Sequence, residues 1–233
     1  MTTIASNLQA VRDAMMAAAV KVGRRSDDVR LLAVSKTFAP DVLREAYQAG
    51  LRCFAENYLQ EALGKIAALH DLPIEWHYIG SIQSNKTQAI ATNFAWVHSV
   101  DSLKIARRLS EQRPAHLPAL QVCLQVNISG EASKGGVTPE QAGSLAQAIV
   151  KLPRLELRGL MTIPSPSDEF AVQRLPFGRL RDLRDQLNQQ GLQLDTLSMG
   201  MSHDFVAAIA EGATMVRIGT AIFGSRYDVS KNA

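Results

Sequence analysis

A lysine stands at the exit of the first apolar run of this chain, Arg30-Leu31-Leu32-Ala33-Val34-Ser35-Lys36-Thr37. Under the period-two alternation of a strand, Lys36 shares a face with Leu32 and Val34 and points where interior residues point. Lysine is rarely placed inside without a partner. Near the other end lies Met215-Val216-Arg217-Ile218-Gly219-Thr220, with Met215, Arg217 and Gly219 on one face and Val216 and Ile218 on the other. An inward arginine beside a glycine, where backbone can approach a ligand, and a threonine hydroxyl suits an anion. Just before it, Ser198-Met199-Gly200-Met201-Ser202-His203-Asp204 offers hydroxyls and backbone amides at a helix start, although a serine in that position is ordinarily a cap.

Taken together, these residues describe one chemistry. A lysine amine condenses with a carbonyl while a distal phosphate anchors the molecule, and an aldehyde carrying a phosphate is the shape of pyridoxal phosphate. The competing reading of Lys36 is a snorkelling side chain paired with Glu56.

The elements that must position these groups follow from the pattern. After an amphipathic N-terminal helix within residues 1–25, short β-branched or aromatic runs alternate with segments whose apolar residues recur at three- and four-residue spacing. Strands are expected at 30–35, 52–57, 75–80, 96–101, 120–128, 156–163, 196–201 and 215–223. Helices are expected between them, among them 40–48, 58–69, 138–152 and 205–210. Gly50 stops the first crossover helix, Asp101 or Ser102 caps the one after the fourth strand, and Pro139 follows Thr138 at a first helical position. Strand and helix in alternation mean a parallel sheet. Eight such units without a Gly-x-Gly-x-x-Gly turn favour a single α/β domain over residues 1–233, a TIM-type (β/α)8 barrel with an additional N-terminal helix. In that fold the site gathers at the C-terminal strand ends and phosphate is held after strands seven and eight, where Ser202, Gly219 and Thr220 lie. Residues 228–233 are expected to fray.

Composition bounds the rest. The 233 residues carry a net charge of +3, with 46% hydrophobic and 20% charged residues, enough for a sizeable core. Basic residues are dispersed, and Arg174, Arg181 and Arg184 sit among Asp182 and Asp185, which argues against a nucleic-acid track. Cys53 and Cys123 lack zinc or disulfide spacing and read as reduced thiols, and the histidines show no metal-ligand spacing, so no metal is expected. The apolar stretch 14–20 belongs to the first helix rather than to a signal peptide, and no run reaches membrane-spanning length. A cytoplasmic protein is expected.

The residues also resemble a known family, the pyridoxal phosphate homeostasis proteins, whose barrel is similar to the N-terminal domain of alanine racemase. The matching stretches are Ala33-Val34-Ser35-Lys36-Thr37, Phe54-Ala55-Glu56-Asn57-Tyr58, His77-Tyr78-Ile79-Gly80 with Gln83-Ser84-Asn85-Lys86, Gly159-Leu160-Met161-Thr162, Leu197-Ser198-Met199-Gly200-Met201-Ser202, and Val216-Arg217-Ile218-Gly219-Thr220. The resemblance implies pyridoxal 5'-phosphate held as a Schiff base by Lys36, its phosphate on Ser202, Gly219 and Thr220, and Arg217 facing the pyridine nitrogen. Asn57, His77 and Ser198 would line the same pocket. A second lysine of many family members stands as Phe38 here, and Lys134 resembles another family lysine near the site, with a solvated loop charge as its alternative. The resemblance also implies a monomer.

Arginine stays charged and only donates, so it does not keep a pyridine nitrogen protonated as a carboxylate does. That favours a carrier without turnover, one that takes part in intracellular cofactor homeostasis and delivers the cofactor to dependent apoenzymes. The alternative is a weak amino-acid racemase. In alanine racemase the second base is a tyrosine from the C-terminal β domain of the neighbouring subunit, which a chain ending at Ala233 is expected to lack. Tyr47, Tyr58, Tyr78 and Tyr227 remain as candidates. A third reading, a barrel for another phosphorylated metabolite, leaves Lys36 incidental.

Overall fold

The computed structural model describes residues 3–131 and 134–224. Tyr227 and the expected frayed segment 228–233 lie outside them. Eight parallel strands close into a barrel in chain order: β1 (Arg30–Val34), β2 (Cys53–Glu56), β3 (Glu75–Tyr78), β4 (Trp96–Val100), β5 (Leu120–Gln125), β6 (Leu155–Met161), β7 (Thr196–Ser198) and β8 (Met215–Ile218). Closure comes from β1 against β8, with Leu32 opposite Arg217 and Ala33 opposite Ile218. The crossover helices are α2 (Pro40–Gln48), α3 (Leu59–Ala68), α4 (Thr87–Asn93), α5 (Leu103–Gln112), α6 (Pro139–Ile149), α7 (Phe170–Gln189) and α8 (Phe205–Ala210). They are preceded by α1 (Ile4–Lys21) and followed by the short α9 (Thr220–Phe223).

Local chemistry sets the ends. Ser102 accepts from the Ile105 amide at the start of α5, and Thr138 with Gln141 forms a capping box ahead of Pro139. The first helix stops at Lys21 rather than near residue 25. Gly23 takes the left-handed conformation (φ +72°), and the Arg24 amide turns back onto the Ala19 carbonyl. The last strand is also shorter than its apolar run suggests. Beyond Gly219 the amides of Ile222 and Phe223 bond the Gly219 carbonyl, so 220–223 is one helical turn rather than an extension of β8. A short apolar run does not distinguish strand from helix.

The core is divided in two. Alternate strand residues such as Ala33, Phe54, Val97, Leu124, Val216 and Ile218 face the helices in one large cluster. Their neighbours face the lumen, where Trp96, Cys123, Met161 and Met215 form a separate small cluster. Lumen positions nearer the C-terminal strand ends are polar, and the site begins there.

Candidate active site at the C-terminal strand ends

Lys36 occupies a turn in which the Phe38 amide bonds the Ser35 carbonyl at 3.2 Å. The next residue, Thr37, has φ +72°, a conformation that suits glycine and is rare for a β-branched residue. Both flanking peptide groups are held from behind. Lys65 of α3 donates to the Ser35 carbonyl at 2.7 Å, to Glu56 Oε1 at 2.7 Å and to Glu61 Oε1 at 2.5 Å, while Glu61 also accepts the Thr37 amide. Ser35 Oγ donates to Glu56 at 2.6 Å. Burial pushes the Glu56 carboxyl above its ordinary range, with Lys65 and Ser35 acting in the opposite sense. Glu56 is thus the partner of Lys65, not of Lys36. The Lys36 side chain is half-buried and, among the described residues, its ammonium has no hydrogen bond or ion pair.

Across the β1–β8 seam, Arg217 is buried to 3% exposure. It donates through Nη1 to Ser198 Oγ and through Nη2 to the Thr162 carbonyl, each at 2.8 Å. Burial lowers its pKa to about 10. The Gly219 position lies against β1: a Cβ there would stand 3.0 Å from the Val34 carbonyl oxygen. At Gly200 (φ +94°) a Cβ would meet Ala208 at 2.6 Å, so the β7 exit can pack onto α8 only as glycine. Ser202 is half-buried in the turn 202–204, and Thr220 is exposed at the first position of α9. Phe38 packs against Phe223 with ring centroids 4.9 Å apart, which ties the Lys36 turn to the segment following Gly219 and Thr220.

Asn57 follows β2, and its Oδ1 is buried without a hydrogen-bond partner. The backbone there is pressed by Gly80, whose Cβ would lie 2.2 Å from the Asn57 carbonyl. His77 sits a layer lower, fully buried, with Nε2 at 2.8 Å from Glu75 and Nδ1 at 2.9 Å from His98. It offers no free nitrogen to the mouth and reaches Arg217 only through His98 and Ser198. Ser198 Oγ is likewise engaged, by Arg217 and by His98 Nδ1 at 2.8 Å. Lys134 pairs with Glu131 at 3.4 Å.

Among the described residues, Cys53, Glu75 and His77 bring donor atoms within 4.8 Å of one another. Arg30 Nη1 lies 2.9 Å from the same Glu75 oxygen, so a cation already sits where a metal would. Burial pushes the Cys53 thiol up to about 12, which keeps it protonated and a poor ligand. On α7, Arg174 and Arg181 both reach Glu211, an ion-pair cluster rather than a phosphate track.

Sequence reasoning did not find Lys65, Glu61, Thr162, His98 or Glu75. Lys65 reads as an exposed charge on an amphipathic helix, and only the α3 packing shows that its tip passes under β1. The His77 and His98 signal was present in type and in alternation, since both share the lumen face of adjacent strands.

The family model for the N-terminal domain of alanine racemase matches residues 4–227. A pyridoxal phosphate homeostasis protein of Pseudomonas aeruginosa is 62% identical over 97% of this chain and 97% of its own. The structure of PipY from Synechococcus elongatus is similar both without and with pyridoxal phosphate bound. TM-scores are 0.86 and 0.83 at 38% and 37% identity, covering 95% of this chain and all of that one. An alanine racemase from Corynebacterium glutamicum shares the fold, with TM-score 0.66 at 18% identity over 92% of this chain and 60% of its own. No helix of the described residues is long and apolar enough to cross a membrane.

Proposed function

Since the chain belongs to the pyridoxal phosphate homeostasis proteins, on the fold of the alanine racemase N-terminal domain, we propose that it binds pyridoxal 5'-phosphate reversibly at Lys36 and serves as its carrier. The observation that carries this reading is the unpartnered Lys36 ammonium at the mouth that also holds Arg217, Gly219 and Thr220. The residues present fit the cofactor. The buried, partnerless Asn57 Oδ1 awaits a donor, and Gly219, whose Cβ would press on the Val34 carbonyl, holds the β8 exit close against β1.

When bound, the cofactor supplies an aldehyde that condenses with an amine and a ring that can accept electrons. This chain's own residues do the following. Lys65 and Glu61 fix the two peptides beside Lys36, so its amine enters the lumen from a rigid turn. Arg217 donates toward the ring nitrogen, its other N–H groups spent on Ser198 and Thr162. Ser202 and Thr220 offer hydroxyls, and Gly219 its amide, to the phosphate. A donor-only group at the nitrogen leaves it unprotonated, which supports holding the cofactor over turning substrates on it.

The reading extends to a cytoplasmic monomer that passes the cofactor to dependent apoenzymes. The experiment is a titration with pyridoxal phosphate followed by borohydride reduction and peptide mapping. A visible band and an adduct on Lys36, both lost in Lys36→Ala, are the expected result; a colourless protein with no adduct overturns it. Exchange of an amino acid's α-proton with heavy water by the loaded protein would favour the racemase alternative.

A further inference from the structure

A line of hydrogen bonds runs through the barrel lumen from its N-terminal end to Arg217. It begins at Glu75 of β3, which Arg30 holds at 2.9 Å and Cys53 at 3.4 Å. It passes through His77 of β3 (2.8 Å), His98 of β4 (2.9 Å) and Ser198 of β7 (2.8 Å), and ends on Arg217 of β8 (2.8 Å). His77, His98 and Ser198 are fully buried, whereas the Glu75 side chain keeps 37% exposure at the other end.

The direction of the line follows from its first member. An ionised carboxylate only accepts, so His77 donates from Nε2. A neutral His77 then accepts at Nδ1, so His98 donates from its own Nε2. A neutral His98 accepts at Nδ1, so the Ser198 hydroxyl gives its proton to His98 and turns a lone pair toward Arg217. Arginine only donates, and the line closes without conflict. Burial lowers the pKa of both imidazoles, and the hydrogen bond from His77 lowers Glu75 to about 2, which agrees with this assignment. Among the described residues Arg217 has no carboxylate within ion-pair distance; Asp204 acts on it only through space.

We propose that Glu75 is a positioning residue for the site at the opposite end of the barrel: through His77 and His98 it fixes the Ser198 hydroxyl so that Arg217 is held, charged and aimed, by an acceptor. The proposal rests on the reading of Arg217 as the cofactor ring's partner.

The test begins without cofactor, as long-range proton–nitrogen correlation spectra of the nitrogen-15-labelled full chain. Both rings are expected as neutral Nε2–H tautomers at neutral pH. Glu75→Gln, whose amide oxygen still accepts from Arg30 and His77, should keep this pattern. Glu75→Leu should move His77 or His98 toward the Nδ1–H form. Titration with pyridoxal phosphate should then show Kd raised roughly tenfold in Glu75→Leu, the worth of one hydrogen bond to a charged group, and nearly unchanged in Glu75→Gln. Should Glu75→Leu not fold, Ser198→Ala breaks the line at its other end, and the His98 signal should change while His77 keeps its form. An imidazolium or an Nδ1–H ring in the unaltered protein overturns the proposal. So do unchanged tautomers in the Leu variant, or changed tautomers with an unchanged Kd. An unaltered protein that takes up no pyridoxal phosphate fails the parent reading instead, and the ring spectra, recorded first, keep the two failures apart.

Discussion

Lys65→Met tests the support behind the reactive turn. Lys65 and Glu56 are 2.7 Å apart with side-chain exposures of 4% and 0%, and Met keeps most of the volume while removing the charge. Glu56 would be left buried with the Ser35 hydroxyl on one oxygen and no ion-pair partner, its Oε2 already having no partner. Removing one partner of a buried pair costs about 3–5 kcal/mol. At about 2–4 °C per kcal/mol for a chain of this size, the melting temperature should fall by roughly 6–20 °C. The deficit should depend on pH in a definite sense. Burial already holds Glu56 above its ordinary value of 4.5, and Lys65 is the leading influence pulling it back. Without Lys65 the carboxyl rises further. A raised carboxyl contributes stability that is present below the unfolded value and lost as pH rises through the folded one. The deficit should therefore be smaller at pH 5 than at pH 8. Thermal unfolding followed by circular dichroism on both proteins at both pH values provides the difference, and histidine contributions common to the two cancel. Glu56→Gln in the Lys65→Met background should recover part of the loss. A deficit below about 1 kcal/mol, or one that is equal at both pH values and unmoved by the second substitution, would refute the argument.

Other perturbations read neighbouring parts of the fold. The buried imidazoles of His77 and His98 resist protonation that the unfolded chain accepts near 6.5, so stability should fall as pH drops below that value, with a slope of at most about 2.7 kcal/mol per unit, the limit for two protons. Urea unfolding at pH 7, 6 and 5 reads this slope, and His98→Gln should lower it. Phe38→Ala removes the ring packed on Phe223 and should cost about 3–5 kcal/mol. It should weaken pyridoxal phosphate binding more than Phe38→Leu does, because the Lys36 turn and the Gly219 segment lose their common contact; equal binding by the two variants would count against that coupling. Gly80→Ala drives a Cβ to 2.2 Å from the Asn57 carbonyl and should cost about 1–3 kcal/mol or more by overpacking, visible as a lowered melting temperature.

What the sequence made legible was whatever repeats or alternates. The eight strands, the closure they suggest and the lumen face shared by Met215 and Arg217 all follow from period two. The caps at Ser102 and Thr138 follow from single residues with local partners. The ends of α1 and β8 were misplaced because a helical amphipathic pattern does not say where Gly23 will turn left-handed, nor an apolar run where Gly219 will start a helical turn. The partners of the site were the least legible. Nothing in the spacing of Ser35, Glu56, Glu61 and Lys65 says that they converge, since their contacts depend on the angle at which α3 lies across β1 and β2. Glu75 was hidden for a related reason: its influence on the site passes through two histidines on different strands.

That distribution of partners also bears on why Lys36 is the amine proposed to react. Ser35, just past β1, gives its hydroxyl to Glu56, while Lys36 stands in the turn that follows with no such partner. Behind the strand, Lys65 has all three of its N–H donors spent, on a carbonyl and two carboxylates. Lys134 is drawn to Glu131. An aldehyde entering the mouth thus meets, in Lys36, an amine whose hydrogen bonds are not already committed within the described residues. The clamp that consumes Lys65 is the same one that holds the Ser35 carbonyl and, through Glu61, the strained Thr37 amide. On the proposed reading, reactivity at Lys36 and inertness at Lys65 are therefore two results of a single packing arrangement. In Lys65→Met the two should weaken together: adduct formation at Lys36 should slow as the turn loosens, with no competing lysine adduct appearing in the peptide map.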